Sequence, residues 1–389
     1  MVRGVGLGLA FFERSSNGLP SAAGDRKFNF KGRLALGMVS RLTKYDALIS
    51  RPTATVSEVL ARIDEATPNL FQIIVSDSQR VLGTVTDGDL RRAILGGATL
   101  DSIISNCMRE TPIVGRVGED KANRTLVSRL RFLPVVDENE RLDHILVDRG
   151  FRAQTLRRAL VMAGGFGRRL GDLTEDTPKP LLSVAGRPIL DRVLEQLETS
   201  GISRVHISTH FRSEKVEDFI KQRKNSAQIF IFKEETPLGT AGALACLADE
   251  IDEPVLVING DVLCQVDLAM MHEFHTRHGY DGTIAVSRHE TKIPFGVIRQ
   301  TDDGQFAGID EKPCLNFFVA AGIYYLSPEF IALTPRGRAV DMPEVITMGA
   351  SAGLKIGLFP VHEYWKDVGA PADFSDAQLD HAVFDSSNG

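Results

Sequence analysis

The chain has 389 residues, 43% of them apolar and 25% charged, a balance typical of a globular protein with room for two domains and a large core. Its formal net charge of -6 gives no basic excess, which argues against a nucleic-acid partner and leaves small polar ligands open. The four cysteines are far apart and form no CxxC pair, which disfavours zinc and a disulfide framework and indicates a cytoplasmic location.

The first 37 residues are rich in Gly, Ser and Asn and show no periodicity of apolar positions. Their apolar run is short, is broken by glycines and is followed at once by Glu13 and Arg14, unlike a secretion signal. We predict that residues 1–47 are a disordered extension, with Met38 as an alternative start. Elsewhere the sequence does not approach the roughly 18 consecutive apolar residues of a membrane span, so we expect no membrane partner.

Residues 50–150 contain an internal repeat. A shift of 61 positions places residues 74–87 over residues 135–148 without a gap, and both copies read strand, polar turn, strand. The first copy continues into GDLRRAIL at residues 88–95, where the apolar positions have helical spacing. Because there are two copies, we predict a tandem module rather than a solenoid.

The stretch GTVTDGDLRRAIL at residues 83–95 resembles a cystathionine-beta-synthase (CBS) domain, and the two copies resemble an α+β CBS pair over residues 48–155. The resemblance implies that Thr86 and Asp89 contact the phosphate and ribose of an adenine nucleotide. The matching positions in the second copy are Val147 and Gly150, so at most one such site is expected. The alternative is that Thr86 and Asp89 cap the helix and that the pair is a dimerisation module without a ligand.

From residue 158 onwards, strands alternate with helices. Predicted strands cover residues 158–163, 204–209, 228–232 and 254–259, and predicted helices cover residues 188–201, 213–224 and 240–249. This alternation predicts an α/β fold with a mostly parallel sheet and with ligands at the carboxyl ends of its strands. Two polar motifs, GGFGRR at 164–169 and NGD at 259–261, directly follow predicted strands.

The glycine-rich loop after residue 163 does not match two common phosphate-binding patterns. GxGxxG is broken at Leu170, one residue before Gly171, and the chain has no Gly-Lys pair for a P-loop. The glycines still allow backbone N–H groups to approach a phosphate closely, and Arg169 and Lys179 supply positive charge. We therefore predict that this loop binds a triphosphate.

Residues 164–182, GGFGRRLGDLTEDTPKPLL, resemble the GGxGTRLxPLTxxxPKPLL motif of the sugar-1-phosphate nucleotidyltransferases. Six further motifs follow in the order of that family: LGTAGAL, NGD, EKP, AGIYYL, DMPEVI and WKDVGAP. The resemblance implies a Rossmann-like, GT-A-like domain over residues 157–389. The sequence departs from the family at Arg168, Asp172 and Ala320, where Thr, Pro and Asn are usual.

The resemblance also implies the reaction, in which a sugar 1-phosphate attacks the α-phosphate of a nucleoside triphosphate. It implies that Asp261 and Asp367 hold Mg²⁺ and that Arg169 and Lys179, with Asp261, are catalytic. The implied nucleotide-binding residues are Gly164, Gly165, Gly167, Arg168, Arg169, Lys179, Gly239 and Thr240. The implied sugar-phosphate-binding residues are Glu311, Lys312 and Gly322.

The identities of the nucleotide and of the sugar are predicted from resemblance alone. GTAGA after Leu238 resembles guanylyl-transferring members, which favours GTP. A CBS pair ahead of such a domain resembles bacterial enzymes that make GDP-linked amino sugars or heptoses for surface glycans, with mannose 1-phosphate as the alternative. CBS pairs also tend to dimerise, so we expect a homo-oligomer. A second hypothesis is a regulatory subunit that senses nucleotide sugars, and it predicts loss of a metal carboxylate or of Lys179.

We predict structural rather than chemical roles for the histidines. HEFHTRH at residues 272–278 does not have the HExxH spacing, so we predict a solvated helix face rather than a metal site. We expect His206 and His210 to pack beside the sheet, and Trp365 to be a packing anchor near the metal carboxylate.

Overall fold

The computed structural model describes residues 39–66, 69–148 and 156–387. The predicted extension up to residue 37, the alternative start at Met38 and the position of Gly150 lie outside these ranges. Within them, no helix combines the length and the apolar character that crossing a membrane would require.

The described residues of the N-terminal part, 39–148, form two small sheets, three α-helices and two short 3₁₀ turns. In chain order the elements are β1 (Val39–Leu42), β2 (Ile49–Ser50), α1 (Val56–Glu65), β3 (Phe71–Val75), β4 (Val81–Thr86), α2 (Asp87–Leu95), β5 (Gly115–Arg116), α3 (Asp120–Leu130), β6 (Phe132–Val136) and β7 (Leu142–Asp148). One sheet has the strand order β2-β3-β4 and the other has the order β1-β7-β6-β5.

Each of these sheets contains one copy of the sequence repeat as a β-hairpin. The hairpins β3–β4 and β6–β7 keep the offset of 61 residues, since Phe71 and Phe132 begin their first strands. Gln79 and Glu140 occupy equivalent turn positions and both have positive φ, 63° and 61°. The rings of Phe71 and Phe132 stack with their centroids 3.9 Å apart. Equivalent residues of the two copies therefore contact each other, as across an approximate two-fold axis.

The predicted end of the disordered extension at residue 47 is wrong. Residues 39–42 form β1, which pairs antiparallel with β7 and places Val39 opposite Asp148. The hydroxyl of Tyr45 donates to the carbonyl oxygen of Leu142 at 2.8 Å. Because β1 is held by a strand far along the chain, its short sequence carries no local signal that reveals it.

The C-terminal part, residues 156–387, is built around a larger sheet. Its elements are β8 (Arg158–Ala163), β9 (Ser183–Val184), β10 (Arg187–Pro188), α4 (Ile189–Thr199), β11 (Arg204–Thr209), α5 (Ser213–Gln222), β12 (Gln228–Lys233), α6 (Leu244–Leu247), β13 (Val255–Asn259), β14 (Val262–Cys264), α7 (Leu268–His278), β15 (Gly282–Lys292), β16 (Val297–Gln300), β17 (Phe306–Asp310), β18 (Cys314–Leu326), α8 (Pro328–Ala332), α9 (Met342–Ser351), β19 (Ile356–Val361), β20 (Trp365–Asp367) and α10 (Pro371–Ser387).

The large sheet has seven strands in the order β12-β11-β8-β13-β18-β15-β19. Its neighbouring pairs are parallel except at β18, which runs antiparallel to β13 and to β15. The predicted α/β class with a mostly parallel sheet is therefore confirmed. The antiparallel strand β18 was not predicted, because it joins the sheet through partners distant in sequence.

The first half of this sheet follows the predicted alternation of strands and helices. Helix α4, predicted over residues 188–201, buries five apolar side chains of one face in the main core: Ile189, Leu190, Val193, Leu194 and Leu197. Burial of each such side chain stabilises the fold by about 1.5–3 kcal/mol. Strands β8 and β13 lie side by side and parallel, so the motifs that follow them meet at one edge of the sheet.

The helix predicted over residues 240–249 is too long. In the structure it is reduced to α6, residues Leu244–Leu247. The N–H of Ala241 donates to the carbonyl oxygen of Val340 at 3.0 Å, and the N–H of Val340 donates to that of Leu238 at 2.9 Å. These contacts to a distant segment hold residues 238–241 in a turn, so the helix begins only at Leu244.

The predicted solvated face of HEFHTRH is wrong. His272 and His275 on α7 are 5% and 4% exposed and meet the ring of Tyr325 edge-on. The Nδ1 atom of His275 lies 2.9 Å from the hydroxyl oxygen of Thr283. Burial, reinforced by His272, lowers the pKa of His275 to about 4. The sheet covers this face of α7, which the sequence pattern did not reveal.

The two parts of the chain meet where α2 packs against β19. Arg91 of α2 is fully buried, and its guanidinium pairs with Asp87 at 2.6 Å and with Glu363 at 3.0 Å. It also donates to the carbonyl oxygen of Pro360 and lies 3.8 Å from the ring centroid of Phe359. One arginine therefore connects the N-terminal part with the end of β19 and the segment that leads to β20.

Candidate functional site

The glycine-rich loop leaves the carboxyl end of β8, in the middle of the large sheet. Gly167 has a φ of 65°, and a Cβ at this position would lie 2.8 Å from Cγ2 of Thr174. The hydroxyl of Thr174 lies 2.9 Å from the carbonyl oxygen of Gly167 and 3.2 Å from that of Gly171. Gly167 is therefore required both by its left-handed backbone and by the close packing of the loop.

A buried carboxylate beside this loop, Glu234, was not identified from the sequence. It is 5% exposed, and it accepts hydrogen bonds from the hydroxyl of Ser208 and, at 2.9 Å, from the N–H of Leu238. A Cβ at Gly164 would lie 2.9 Å from its Oε1, whereas a Cβ at Gly165 would meet no atom within 4 Å. The position of Glu234 just after β12 is a signal that could have found it.

Lys179, Asp261 and Asp367 form a cluster beside the carboxyl end of β13. Lys179 begins a short 3₁₀ turn, residues Lys179–Leu181, and is 7% exposed. Its ammonium donates to Oδ2 of Asp261 and lies 3.7 Å from Oδ1 of Asp367. Two carboxylates therefore share one lysine, and the predicted metal carboxylates and the predicted triphosphate lysine are brought together.

Two short strands bring the aspartates into contact range. Asp261 immediately precedes β14, which pairs antiparallel with β20 and places Val262 opposite Asp367. The N–H of Val368 donates to the carbonyl oxygen of Asp261 at 3.2 Å. Trp365, at the start of β20, donates its indole N–H to the carbonyl oxygen of Ala321 at 2.7 Å and so anchors the strand to β18.

The aspartate cluster has the features of a site for a hard cation. Among the described residues, Oδ1 of Asp261 and Oδ1 of Asp367 are buried without a hydrogen-bond donor. Burial raises the pKa of Asp367, and the charge of Asp261 adds to this effect, whereas Lys179 and Arg169 oppose it. Mg²⁺ is commonly held by one or two carboxylates together with phosphate and water oxygens, so the two aspartates fit it. The described ranges contain no group of three His, Cys, Asp or Glu arranged to hold a metal alone.

The two adjacent arginines of the loop have different surroundings, although both are exposed. A Cβ at Gly369 would lie 3.2 Å from Nη2 of Arg169 and 3.3 Å from Oδ2 of Asp367, so Arg169 belongs to the aspartate cluster. Arg168 instead lies over the ring of Phe166, 5.0 Å from its centroid. The structure therefore brings Arg169, but not Arg168, to the aspartates.

Gly239 and Thr240 are held against Asp341, a residue that the sequence analysis did not single out. Gly239 has a φ of 75°, and a Cβ there would lie 2.6 Å from the carbonyl oxygen of Val340. Thr240 donates to Oδ1 of Asp341 through its N–H at 2.9 Å and through its hydroxyl at 3.1 Å. Its hydroxyl also accepts from the N–H of Met342 at 2.9 Å. The LGTAGAL and DMPEVI motifs are therefore one structural unit.

The three residues predicted to bind the sugar phosphate have different surroundings. Gly322 of β18 has a φ of 73°, and a Cβ there would lie 2.7 Å from Nδ2 of Asn259, in the NGD motif. Glu311 and Lys312 are exposed in the turn between β17 and β18. In the described part of the chain, neither has a hydrogen bond or ion pair with Lys179 or the aspartates.

Thr86 and Asp89 form a reciprocal cap at the start of α2. The N–H of Asp89 donates to Oγ1 of Thr86 at 3.2 Å, and the N–H of Thr86 donates to Oδ2 of Asp89 at 2.9 Å. The hydroxyl of Thr86 donates to the same carboxylate oxygen at 2.6 Å, and Arg92 pairs with the other oxygen. Both oxygens of Asp89 are therefore engaged, and a ribose would have to replace Arg92. The equivalent Val147 is buried in β7.

His206 and His210 take packing roles on and after β11. His206 is 8% exposed, stacks on Phe230 with centroids 5.0 Å apart, and has its pKa lowered by burial. His210 meets the ring of Phe166 edge-on at 5.3 Å, and its Nδ1 lies 2.9 Å from the carbonyl oxygen of Glu234.

A glycine loop and an aspartate–lysine cluster at the carboxyl ends of a parallel sheet define a nucleotide-binding α/β protein. The nucleotidyl transferase family matches residues 158–382, more than half of the chain. The CBS domain family matches residues 36–96, which contain the first copy of the repeat. The chain belongs to the nucleotidyl transferase family, as the sequence motifs indicated. The resemblance to a CBS domain is confirmed for the first copy of the repeat.

Individual relatives match the C-terminal part. The mannose-1-phosphate guanylyltransferase catalytic subunit beta of Drosophila pseudoobscura pseudoobscura is 35% identical over 228 residues, which cover 56% of this chain and 60% of the relative. Mannose-1-phosphate guanylyltransferase 1 of Arabidopsis thaliana is 32% identical over 227 residues, which cover 56% of this chain and 62% of the relative. The chain thus spans about 60% of the length of these curated relatives.

Among solved structures, HddC from Yersinia pseudotuberculosis, complexed with GMP-PN, is similar to this chain at 25% sequence identity. The match covers 58% of this chain and 99% of that chain, with a TM-score of 0.47.

Proposed function

We propose that this chain is a sugar-1-phosphate guanylyltransferase that uses GTP and Mg²⁺ and makes a GDP-sugar for surface glycans. The cluster of Lys179, Asp261 and Asp367 beside the glycine loop is the observation that carries the proposal. Membership of the nucleotidyl transferase family and the names of the curated relatives support it.

In the proposed reaction an oxygen of the sugar 1-phosphate attacks the α-phosphorus of GTP. The bond between that phosphorus and the oxygen that bridges to the β-phosphate breaks, and pyrophosphate leaves with the electron pair. The attacking phosphate is already ionised, so no protein group is needed as a base. The protein's task is therefore to position two anionic substrates and to offset their charge.

The aspartate cluster and its cations have separate roles in this proposal. Asp261 and Asp367 would hold Mg²⁺ through their buried oxygens without donors, and bound Mg²⁺ would supply positive charge to phosphate oxygens. Lys179 and Arg169 offset the charge that develops on the leaving pyrophosphate. Lys179 is fixed for this role, because it is nearly buried and its backbone lies between two prolines.

The nucleotide residues are proposed from the loop geometry. Gly164, Gly165 and Gly167 expose the backbone to the triphosphate, and Gly165 has the open side that close approach of a phosphate requires. Arg168 adds charge at the loop's edge. Because Asp341 engages Thr240 and abuts Gly239, we assign the LGTAGAL turn the task of shaping the guanine pocket.

The sugar-phosphate side is proposed to use Gly322, Glu311 and Lys312. Gly322 lies against the NGD motif, and Glu311 and Lys312 present opposite charges from the turn between β17 and β18. The names of the curated relatives make mannose 1-phosphate the first sugar to test. Amino-sugar and heptose 1-phosphates remain the alternatives indicated by the fused CBS pair.

The rest of the chain is proposed to be regulatory. We assign residues 157–389 to the transferase and residues 39–155 to a CBS pair, extended from residue 48 to include β1. The pair is proposed to bind a nucleotide near Thr86 and Asp89, and to support a homo-oligomer. A cytoplasmic location agrees with the four free thiols.

The alternative of a purely sensing subunit is less well supported. It predicts loss of a metal carboxylate or of the lysine, yet Asp261, Asp367 and Lys179 are all retained and lie in contact range of one another.

Pyrophosphate release from the purified full-length chain tests the proposal. GTP, ATP, UTP and dTTP are each paired with mannose, glucosamine, glucose and heptose 1-phosphates in the presence of Mg²⁺. We expect turnover with GTP to exceed turnover with the other nucleotides by about tenfold or more, equivalent to about 1.4 kcal/mol of discrimination. Absence of pyrophosphate with every pair would overturn the proposal, as would activity unaffected by Asp261→Asn.

A further inference from the structure

Two neighbouring strands of the large sheet, β15 and β18, extend beyond it. Their outer neighbours β19 and β13 pair with them no further than Ser287 of β15 and Ile323 of β18. Beyond these positions β15 and β18 continue as an antiparallel pair that ends with Lys292 opposite Cys314. The chain between these two residues forms the separate two-stranded sheet β16–β17. Residues 288–318 therefore form a two-stranded arm that projects from the sheet.

The arm presents apolar side chains to solvent. All of residues 288–318 are described, and none of them is buried. Ile298 lies opposite Ile309, and Phe306 lies opposite the residue two positions after Ile298, so these three side chains share one face of the β16–β17 sheet. Leu315 and Phe317, two positions apart on β18, share a face of the other strand pair. The five side chains are between 40% and 69% exposed.

Such an arm is poorly suited to remain uncovered in water. A two-stranded sheet by itself is marginally stable, and large apolar surfaces on soluble proteins commonly mark interaction sites. Since an aromatic side chain can bury 150–250 Å², the five apolar side chains together present about 500 Å². A stable protein interface takes about 800 Å² from each partner. The five side chains alone therefore supply more than half of the surface that such an interface requires.

The charges of the arm favour a second copy of the chain as the partner. Residues 288–318 contain four Lys or Arg and five Asp or Glu, so the arm has no excess positive charge for a nucleic acid or an anionic membrane. Opposite charges already pair within it, Arg288 with Glu290 at 3.4 Å and Arg299 with Asp310 at 3.2 Å. A nearly neutral, apolar surface can pair with itself about a two-fold axis without repulsion between like charges, and homodimer interfaces are typically more apolar than others.

We propose that two copies of this chain associate through the arm, and that association orders the turn that carries Glu311 and Lys312. This interface is separate from any association through the N-terminal repeat. The link to Glu311 and Lys312 rests on the proposed function, which assigns them to the sugar phosphate, whereas association of the arms does not depend on that function.

The turn with Glu311 and Lys312 is part of the arm and depends on its conformation. It joins β17 to β18, and Lys312 has a φ of 46°, a conformation that few residues other than glycine adopt. A Cβ at Gly296, on the opposite strand, would lie 2.7 Å from Cδ1 of Ile309 and 3.1 Å from Oε2 of Glu311. A partner that covers Ile309 therefore restrains the turn next to Glu311, and a free arm leaves it less restrained.

Sedimentation velocity of the full-length chain over a wide range of concentrations tests the interface. The variants are Phe306→Lys and Phe317→Lys, and Leu379→Lys on α10 is the control, since Leu379 is 70% exposed against 69% for Phe306. We expect each arm variant to raise the Kd of association by about tenfold or more, as loss of a central aromatic side chain does, and to halve the mass of the assembly. The control should associate as the wild type does. Thermal melting at low concentration should be unchanged, because the substituted side chains are exposed in the single chain.

Steady-state kinetics test the link to the sugar-phosphate residues. Both arm variants should have a raised KM for the sugar 1-phosphate and a wild-type KM for GTP, because Glu311 and Lys312 are assigned to the sugar phosphate alone. Dilution of the wild type below its Kd of association should raise the same KM. Leu379→Lys should have the wild-type value.

Three results would overturn the proposal. A wild type with the mass of a single chain at every concentration would leave the arm to a different partner. Association unaffected by both arm variants would place the interface elsewhere in the chain. A normal KM for the sugar phosphate in dissociated variants would remove the link to Glu311 and Lys312. If the arm variants dissociate the assembly but no sugar phosphate gives turnover with the wild type, the interface stands and the proposed transferase function fails.

Discussion

The fully buried guanidinium of Arg91 donates to the carboxylate of Glu363 at 3.0 Å across the junction of the two parts of the chain. Burial alone would raise the pKa of Glu363, but Arg91 and His362 outweigh it and hold that pKa below its usual value. Glu363 lies two residues before β20, which carries Asp367. A helix of the N-terminal part is thus tied by a charged contact to the segment that enters the aspartate cluster.

Replacing Arg91 should destabilise the protein more than replacing an exposed arginine. Arg91→Ala leaves two carboxylates, Asp87 and Glu363, without their buried cation, and we expect a loss of about 3–5 kcal/mol in the free energy of unfolding. Arg80→Ala is the control, since Arg80 pairs with Glu140 on the surface and should cost less than about 1 kcal/mol. Urea unfolding of both variants measures the difference, and equal effects would contradict the role given to Arg91.

Two glycines of the glycine-rich loop should respond differently to substitution by alanine. Gly167→Ala places a side chain at a φ of 65° and against Thr174, so we expect lower thermal stability and loss of turnover. Gly165→Ala meets no atom within 4 Å, so we expect wild-type stability with a raised KM for GTP. Thermal melting and steady-state kinetics separate the two effects. A normal KM in Gly165→Ala would argue against close approach of the triphosphate at this residue.

Loss of either cluster cation should slow the chemical step. Lys179→Ala and Arg169→Ala each remove positive charge placed for the leaving pyrophosphate, and we expect kcat to fall by about 10²-fold or more. Both variants should fold, as checked by circular dichroism, and Lys224→Ala serves as the matched control at an exposed lysine. Near-normal kcat in either variant with every nucleotide tested would show that the triphosphate assignment is wrong.

Stability should fall in mild acid because of the buried His275. Its pKa is about 4 in the folded protein against a usual value of 6.5, so the unfolded chain binds the proton more tightly. The contribution is complete above about pH 6.5 and is lost as the pH falls towards 4, by about 3 kcal/mol over the whole window. His206 and His362 shift in the same direction.

Urea unfolding midpoints at pH 7.5 and pH 5 measure this effect. His275→Gln keeps a polar partner for Thr283 but does not titrate, so its midpoint should change less between the two pH values. An identical change in the wild type and in the variant would assign the acid sensitivity to other groups.

The sequence predicts what local periodicity and adjacent motifs determine. The apolar face of α4 and the glycine loop after β8 follow from patterns within a few residues. The meeting of the glycine loop with NGD follows from the parallel neighbours β8 and β13. The offset of the hairpins follows from the 61-residue repeat, whose equivalent residues Phe71 and Phe132 are in contact.

The remaining features depend on partners far apart in the chain. The sequence around Arg91 is that of an ordinary helix, and it does not reveal the contact of Arg91 with Glu363. The helix predicted over residues 240–249 is shortened by contacts to Val340. Thr86 and Asp89 satisfy both a capping pattern and a ligand pattern, and the hydrogen bonds show the cap in place. No local propensity encodes such long-range contacts, because tertiary packing decides them.

The most direct measurement is the product stoichiometry of one reaction, that of the full-length chain with GTP, mannose 1-phosphate and Mg²⁺. Phosphorus NMR and mass spectrometry identify and count the products, with Asp261→Asn as the control. We expect GDP-mannose and pyrophosphate in equal amounts, and turnover reduced by about 10²-fold or more in the variant. Release of orthophosphate or pyrophosphate without a GDP-sugar, or equal turnover in wild type and Asp261→Asn, would contradict the proposed function.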